Sequence, residues 1–280
     1  MKYVVLGSKG QLGIEFLSIL KDDEVFEYDI HNIDITKENE LREVIEKHNP
    51  DVILNCAAYN QVDLAEKNKT LAFKVNRDAP INLAKICSKK AIKLVHYSSN
   101  YVFDGKQKTE YKITDTPNPL SVYGSSKLEG EQGVLKYNKN SMIIRTSWLF
   151  GEGTQNFIYK LMRWSKDKTE LMISSDEISA PTSAYDLAVT TLQLIERKHT
   201  GLVHVTNRES CSRFEWAKLI LDLIGWKGKL IEARMSDFNL EATRPVHAVL
   251  SLNSLPPSIL STLPTWKVAT ERYIKDSQKI

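Results

Sequence analysis

Apolar positions along this chain fall into two periods. Short β-rich runs recur at KYVVLG (2–7), EVFEYD (24–29), DVILNCAA (51–58), IKLVHYSS (92–99), SMIIRTSWLF (141–150) and GLVHVT (201–206). The run at 51–58 is almost continuously apolar, as suits a strand covered on both faces of a parallel sheet. Between these runs lie QLGIEFLSIL (11–20), TKENELREVIEKHNP (36–50), TLAFKVNRDAPINLAKICSKK (70–90), SVYGSSKLEGEQGVLKY (121–137) and SAYDLAVTTLQLIERK (183–198). Their spacing predicts helices. The second opens on Thr36 as a cap and closes before Pro50. Strand and helix therefore alternate, which predicts an α/β fold: a Rossmann-like, doubly wound parallel sheet built from right-handed crossovers.

After residue 149 the segments shorten and mix, and CSRFEWAKLILDLIG (211–225) starts a region with its own helix and several prolines. The expectation is a smaller C-terminal substrate lobe interleaved with the sheet. Residues 1–148 and 178–207 then form the dinucleotide-binding domain, and 149–177 with 208–280 form the lobe. Neither internal repeats nor low-complexity stretches interrupt the pattern.

Composition narrows the function classes. A chain of 280 residues with 42% hydrophobic and 26% charged positions is ordinary for a soluble protein, and its formal charge of +3 comes from dispersed lysines. No basic tract points to nucleic acid. No stretch approaches the ~20 apolar residues that span a bilayer, so no membrane partner is expected. The first apolar run is too short for a signal peptide. Cys56, Cys87 and Cys211 are odd in number and far apart, and the six histidines show no ligand spacing. A reduced, cytoplasmic protein without a catalytic metal is the expectation.

Candidate chemistry begins at Gly7-x-x-Gly10-x-x-Gly13, between the first strand and the first helix. There, glycines permit a tight turn and close approach to a pyrophosphate, with the helix N-terminus supplying free N–H donors. Gln11 and Leu12 lie inside this turn. Asp29 ends the second strand, where an acid accepts from ribose hydroxyls and disfavours the extra phosphate of NADP. Asp34 and Ile35 follow, where an adenine edge is held. The second candidate is Tyr123 four places before Lys127, which puts both on one helix face. A phenol titrates near ~10, and an adjacent ammonium favours its ionised form.

With the glycine turn, NCAAY (55–59), HYSSNYVFDG (96–105), PLSVYGSSKLEGE (119–131), RTSWLFG (145–151), APTSAYDLA (180–188) and TRP (243–245) in order, the chain resembles the extended short-chain dehydrogenase/reductases. More narrowly it resembles the dTDP-4-dehydrorhamnose reductase family. The resemblance implies NADPH or NADH as cofactor, a nucleotide-sugar substrate, and Tyr123, Lys127 and Ser99 as catalytic residues. Where this chain has Ser99 and Asn100, the family usually carries threonine and aspartate. By the same resemblance Ala57, Ala58, Tyr59, Asn60 and Tyr97 contact the cofactor, with Asn60 replacing a common threonine. Asn100, Tyr101, Trp148 and Arg244 fall on the substrate side, the tryptophan ring against the hexose and the guanidinium toward the diphosphate. Glu15 matches a residue that helps hold magnesium at a homodimer contact in some members; one carboxylate is not a metal site, and the assembly stays open. Two other readings remain: a sugar-nucleotide epimerase or dehydratase, against which Asn100 and Tyr101 stand where dehydratases place acids, and a non-catalytic, cofactor-binding regulatory subunit.

Overall fold

The computed structural model describes residues 1–277, so the last three positions of the expected 208–280 segment lie outside the described residues. The first half runs β1 (Lys2–Leu6), α1 (Gln11–Ile19), β2 (Glu24–Tyr28), α2 (Glu38–His48), β3 (Val52–Asn55), α3 (Val62–Lys67), α4 (Lys69–Phe73), α5 (Ala79–Lys89), β4 (Lys93–Ser99), α6 (Val122–Tyr137) and β5 (Met142–Thr146). The second half adds β6 (Leu149–Phe150), α7 (Phe157–Asp167), β7 (Glu170–Ser174), β8 (Ile178–Ser179), β9 (Thr182–Ser183), α8 (Ala184–Glu196) and β10 (Gly201–His204). It closes with β11 (Cys211–Ser212), α9 (Arg213–Leu223), β12 (Lys229–Ala233), α10 (Pro257–Leu260) and α11 (Trp266–Ser277).

Six strands form one parallel sheet in the order β10-β5-β4-β3-β1-β2. Because successive strand residues face opposite ways, each strand feeds two cores. Val4, Leu6, Ile53, Leu94 and Ile143 join Leu41 and Ile45 of α2, Leu83 of α5 and Val134 of α6 on one face. Tyr3, Val5, Leu54, Val95, Ile144 and Val203 join Phe16 of α1, Leu187 and Leu194 of α8, and Leu255, Ile259 and Leu263 on the other. At about 1.5–3 kcal/mol per fully buried aliphatic side chain, these two layers hold the sheet together. The sheet is thus doubly wound, as the alternating pattern predicts.

A third core, built on Phe150, Leu161, Ile173, Trp216, Ile220 and Trp266, belongs to the smaller lobe, where β12 pairs with β7. The stretch 255–263 does not join it. Although it follows the lobe in sequence, its leucines cover the sheet face.

The chain leaves β1 to place β2 on one side, then crosses back to place β3 on the other. That reversal opens a crevice at the C-terminal ends of the strands, where ligands bind in open α/β sheets.

Three local expectations fail for physical reasons. The helix expected over 70–90 is broken by a widened π turn at Lys74–Asp78, which lets the buried Asn76 reach across to α6. Thr36 does not cap α2; its hydroxyl donates to Asp34 Oδ1 at 2.7 Å, and Lys37 takes the cap position. The strand expected over 141–150 splits, because Trp148 takes a left-handed φ of +44°.

Helix α6 meets its neighbours almost backbone to backbone. A Cβ on Gly124 would strike the carbonyl of Tyr101, and one on Gly130 the carbonyl of Asn76, while one on Gly133 would meet only the Ile81 side chain. Gly130→Ala is therefore expected to lower unfolding stability by about 3 kcal/mol. Gly133→Ala should cost about 1 kcal/mol or less once Ile81 shifts rotamer. Urea unfolding of the two variants side by side checks the ordering.

Candidate active site

At the C-terminal ends of the strands lies a cleft of about 660 Å³. Gly10, Gln11 and Leu12 line it from the first turn, and Cys56, Ala57, Ala58 and Asn60 from the loop after β3. Tyr97 and Ser99 close β4, Tyr123 and Lys127 come from α6, and Trp148 and Arg244 reach in from the lobe side.

The glycine turn is built for a ligand with phosphates. Gly7 has φ +79°, and a Cβ there would strike the Ala57 backbone; a Cβ on Gly13 would strike the Gly7 carbonyl. Gly10 is the N-cap of α1 and brings no side-chain cap, so the first-turn N–H groups remain available to an anion. Several buried side-chain atoms among the described residues lack a hydrogen-bond partner. Some, such as His96 Nε2 and Arg145 Nη1, do not belong to cleft residues, but four do: Gln11 Oε1, Asn55 Oδ1, Ser98 Oγ and Thr146 Oγ1. Uncompensated polar atoms of this kind fit a polar cofactor such as a dinucleotide.

Asp29, Asp34 and Ile35 do not line this cleft. Asp29 accepts from the Lys9 and Ile30 amides at 3.1 and 2.8 Å, which fastens the end of β2 to the glycine turn. Asp34 accepts from Thr36, and those hydrogen bonds hold its carboxyl below the usual range. Ile35 packs against the α2–α5 core. Tyr59 also stands behind the wall, its N–H donating to Asn76 Oδ1 at 2.8 Å.

Ser121 caps α6, accepting from the Gly124 amide at 3.2 Å, and the helix then presents Tyr123 and Lys127 one turn apart. The Tyr123 hydroxyl donates to Asn60 Oδ1 at 3.5 Å and lies close to the Ser99 side chain. Tyr101 stands edge-on to the Tyr123 ring at 5.6 Å. Burial raises the Tyr123 phenol above its ordinary value, and the Ser99 hydrogen bond pulls weakly the other way. This is opposite to the direction expected from an adjacent ammonium, because desolvation of the buried phenol dominates. Burial brings Lys127 down to about 8, opposed by Glu131.

On the lobe side, Trp148 stacks parallel to Trp216 at 5.9 Å, and the Arg213 guanidinium sits 3.6 Å over its ring. The strained backbone of Trp148 aims an already clamped indole at the cleft. Asn100 does not enter the cleft. Its Nδ2 donates to Ser179 Oγ and the Ala248 carbonyl, tying β4 to the lobe connections. Arg244 is engaged by Asp63 of α3 through hydrogen bonds of 3.0 and 2.6 Å. Glu15 lies near Glu152, Asp186 and Arg272; burial first, then Glu152, raises its carboxyl. Among the described residues no cluster of three or more His, Cys, Asp or Glu side chains could hold a metal ion.

Sequence reading missed Asn76, Asp63 and the pair Glu131–Arg145. Asn76 was detectable as an asparagine inside a helical run with no cap to serve. Glu131 was detectable as the third member of the Tyr123, Lys127, Glu131 spacing. Asp63 left no local signal, because its partner is far away in sequence.

Residues 1–279 match the family described as RmlD substrate binding domain. The chain is 31% identical to a dTDP-4-dehydrorhamnose reductase of Sinorhizobium fredii, covering 98% of this chain and 97% of that one. It is similar to the crystal structure of a dTDP-4-dehydrorhamnose reductase from Clostridium acetobutylicum, with a TM-score of 0.96, 35% identity, and coverage of 99% and 100%. The Bacillus anthracis enzyme of that name, in complex with NADP, gives a TM-score of 0.94 at 33% identity, with coverage of 99% and 100%.

The Asp63 carboxyl is held below its ordinary value, chiefly by the hydrogen bond from Arg244. A depressed acid adds stability above its unfolded pKa and loses it as pH falls through the native value. Asp63→Asn should therefore cost about 1 kcal/mol near pH 7, the pair being partly solvated. Denaturation curves of variant and wild type should converge as the pH drops below the carboxylate range.

Proposed function

The chain belongs to the RmlD substrate binding domain family, and from that membership we propose that it reduces the C4 keto group of dTDP-4-dehydro-6-deoxy-L-mannose (dTDP-4-dehydrorhamnose) to dTDP-L-rhamnose, with NADPH or NADH as reductant. The observation that carries this reading is the meeting of Ser99, Tyr123 and Lys127 in one cleft with the capless N-terminus of α1.

When bound, the reduced nicotinamide supplies the hydride for C4. The protein's part is position and proton. The Ser99 hydroxyl, at the end of a rigid strand, orients the substrate carbonyl toward Tyr123. As negative charge develops on the sugar oxygen, the phenol Oη gives up its proton, so hydride and proton together complete the alcohol. A phenol raised by burial is fully protonated at neutral pH, which is the form a donor requires. Lys127 then stabilises the phenolate left behind and keeps donors for a cofactor ribose. Trp148 offers an apolar wall for the 6-deoxyhexose. Arg244 exchanges the Asp63 carboxylate for the substrate diphosphate, a trade between two anions of matching geometry.

We read 1–148 with 178–207 as the cofactor domain and 149–177 with 208–280 as the substrate lobe, except that 255–263 packs on the sheet face of the cofactor domain. We propose a cytoplasmic location, supplying an activated sugar to polysaccharide synthesis; the three cysteines are free, as suits a reducing compartment.

Incubation with dTDP-4-dehydrorhamnose should oxidise NADPH or NADH and yield dTDP-L-rhamnose. Tyr123→Phe should leave cofactor affinity unchanged and lower kcat by roughly 10²- to 10⁴-fold, the usual worth of a positioned acid. A variant within threefold of wild type would remove Tyr123 from the mechanism.

A further inference from the structure

Lys127 sits in a difficult place for a cation. It is 2% exposed and, among the described residues, donates no hydrogen bond to the protein. A buried ammonium without a partner sheds its proton rather than remain charged. One helical turn further on, Glu131 is also 2% exposed and lies on the same face. Arg145, planted on the neighbouring β5, donates to it through Nε at 3.1 Å and through Nη2 to the other oxygen. The guanidinium is braced 5.0 Å over the Phe103 ring.

We propose that Glu131 is a positioning residue that keeps Lys127 charged in the buried cleft, and that Arg145 fixes Glu131 in the orientation this needs. The proposal rests on the reading of Lys127 as an ammonium working beside Tyr123. Glu131 acts across a helical turn rather than by a hydrogen bond, so the three Lys127 donors stay free for ligand and phenol. Its bidentate link to Arg145 gives it partners of its own, so it has no need to capture the lysine.

The other groups facing this line are neutral and do not replace it. His96 of β4, whose Nδ1 lies 3.1 Å from Asn55 Nδ2, is driven well below its ordinary value by burial and then by Lys127. His204 of β10 is lowered to about 3 by burial and then by Arg145. Tyr97, Tyr101 and Tyr123 are raised by burial and stay protonated at neutral pH, as does the Cys56 thiol. Glu131 is the anion that opposes the desolvation of Lys127.

Glu131→Gln keeps shape and removes charge. Above its pKa the lysine is neutral, so both turnover and NADPH affinity have an alkaline limb. In the variant that limb should move down by roughly one pH unit, in kcat/KM and in the NADPH Kd read by fluorescence quenching. Near pH 6 both quantities should stay within threefold of wild type, which also reports an intact fold. Glu131→Asp, retaining the charge, should restore most of the shift. If Glu131→Gln does not fold, the charge-free pair Glu131→Gln, Arg145→Gln leaves no unpaired buried ion and should move the limb in the same direction by a smaller amount, since the Arg145 charge goes with it. A limb that stays in place while rates fall evenly at every pH overturns the proposal and leaves the pair a structural strut. Because NADPH affinity needs no sugar substrate, a wild type that binds NADPH but reduces nothing would count against the proposed function alone.

Discussion

The close seating of α6 against the carbonyls of Tyr101 and Asn76 is the constraint from which the rest of the site follows. Glycines at 124 and 130 remove every side chain from that contact, so main chain defines the distance. Tyr123 and Lys127 inherit their places from it, as does the Ser126 hydroxyl, which Asn76 Nδ2 reaches at 3.0 Å. Asn76 in turn holds the Tyr59 backbone through both N–H and carbonyl. One asparagine on a π turn thus joins the loop after β3 to the helix that carries Tyr123 and Lys127. Interiors this dense transmit displacement rather than absorb it.

Charge is handled differently on the two sides of the cleft. Behind α6, Glu131 and Arg145 form a buried ion pair, one helical turn along from Lys127. On the lobe side Arg244 is paired with Asp63, a contact that water still reaches. The first arrangement is permanent, because an unpaired buried ion is costly. The second is looser, because solvent reaches the Asp63 carboxylate.

The sheet was readable from sequence because period and burial are the same signal: Val4 and Leu6 go to one core, Tyr3 and Val5 to the other. The glycine turn and Tyr123 with Lys127 were readable because each is local. What stayed hidden depends on groups distant in sequence. The π turn reflects Asn76 reaching Ser126; Asn100 turns away because Ser179 and Ala248 offer acceptors. Trp148 bends its backbone because Trp216 and Arg213 clamp its ring. The direction of the Tyr123 shift was hidden too, since the proximity of an ammonium can be read from spacing but the depth of burial cannot.

Leu255, Ile259 and Leu263 complete the sheet face that Tyr3 and Val5 begin, although some 250 residues separate them. On the ribosome, the early strands and α1 therefore emerge with part of that oily stripe bare, its cover still to be translated, and the nascent sheet stays shielded by chaperones or by its own loose collapse until that segment arrives.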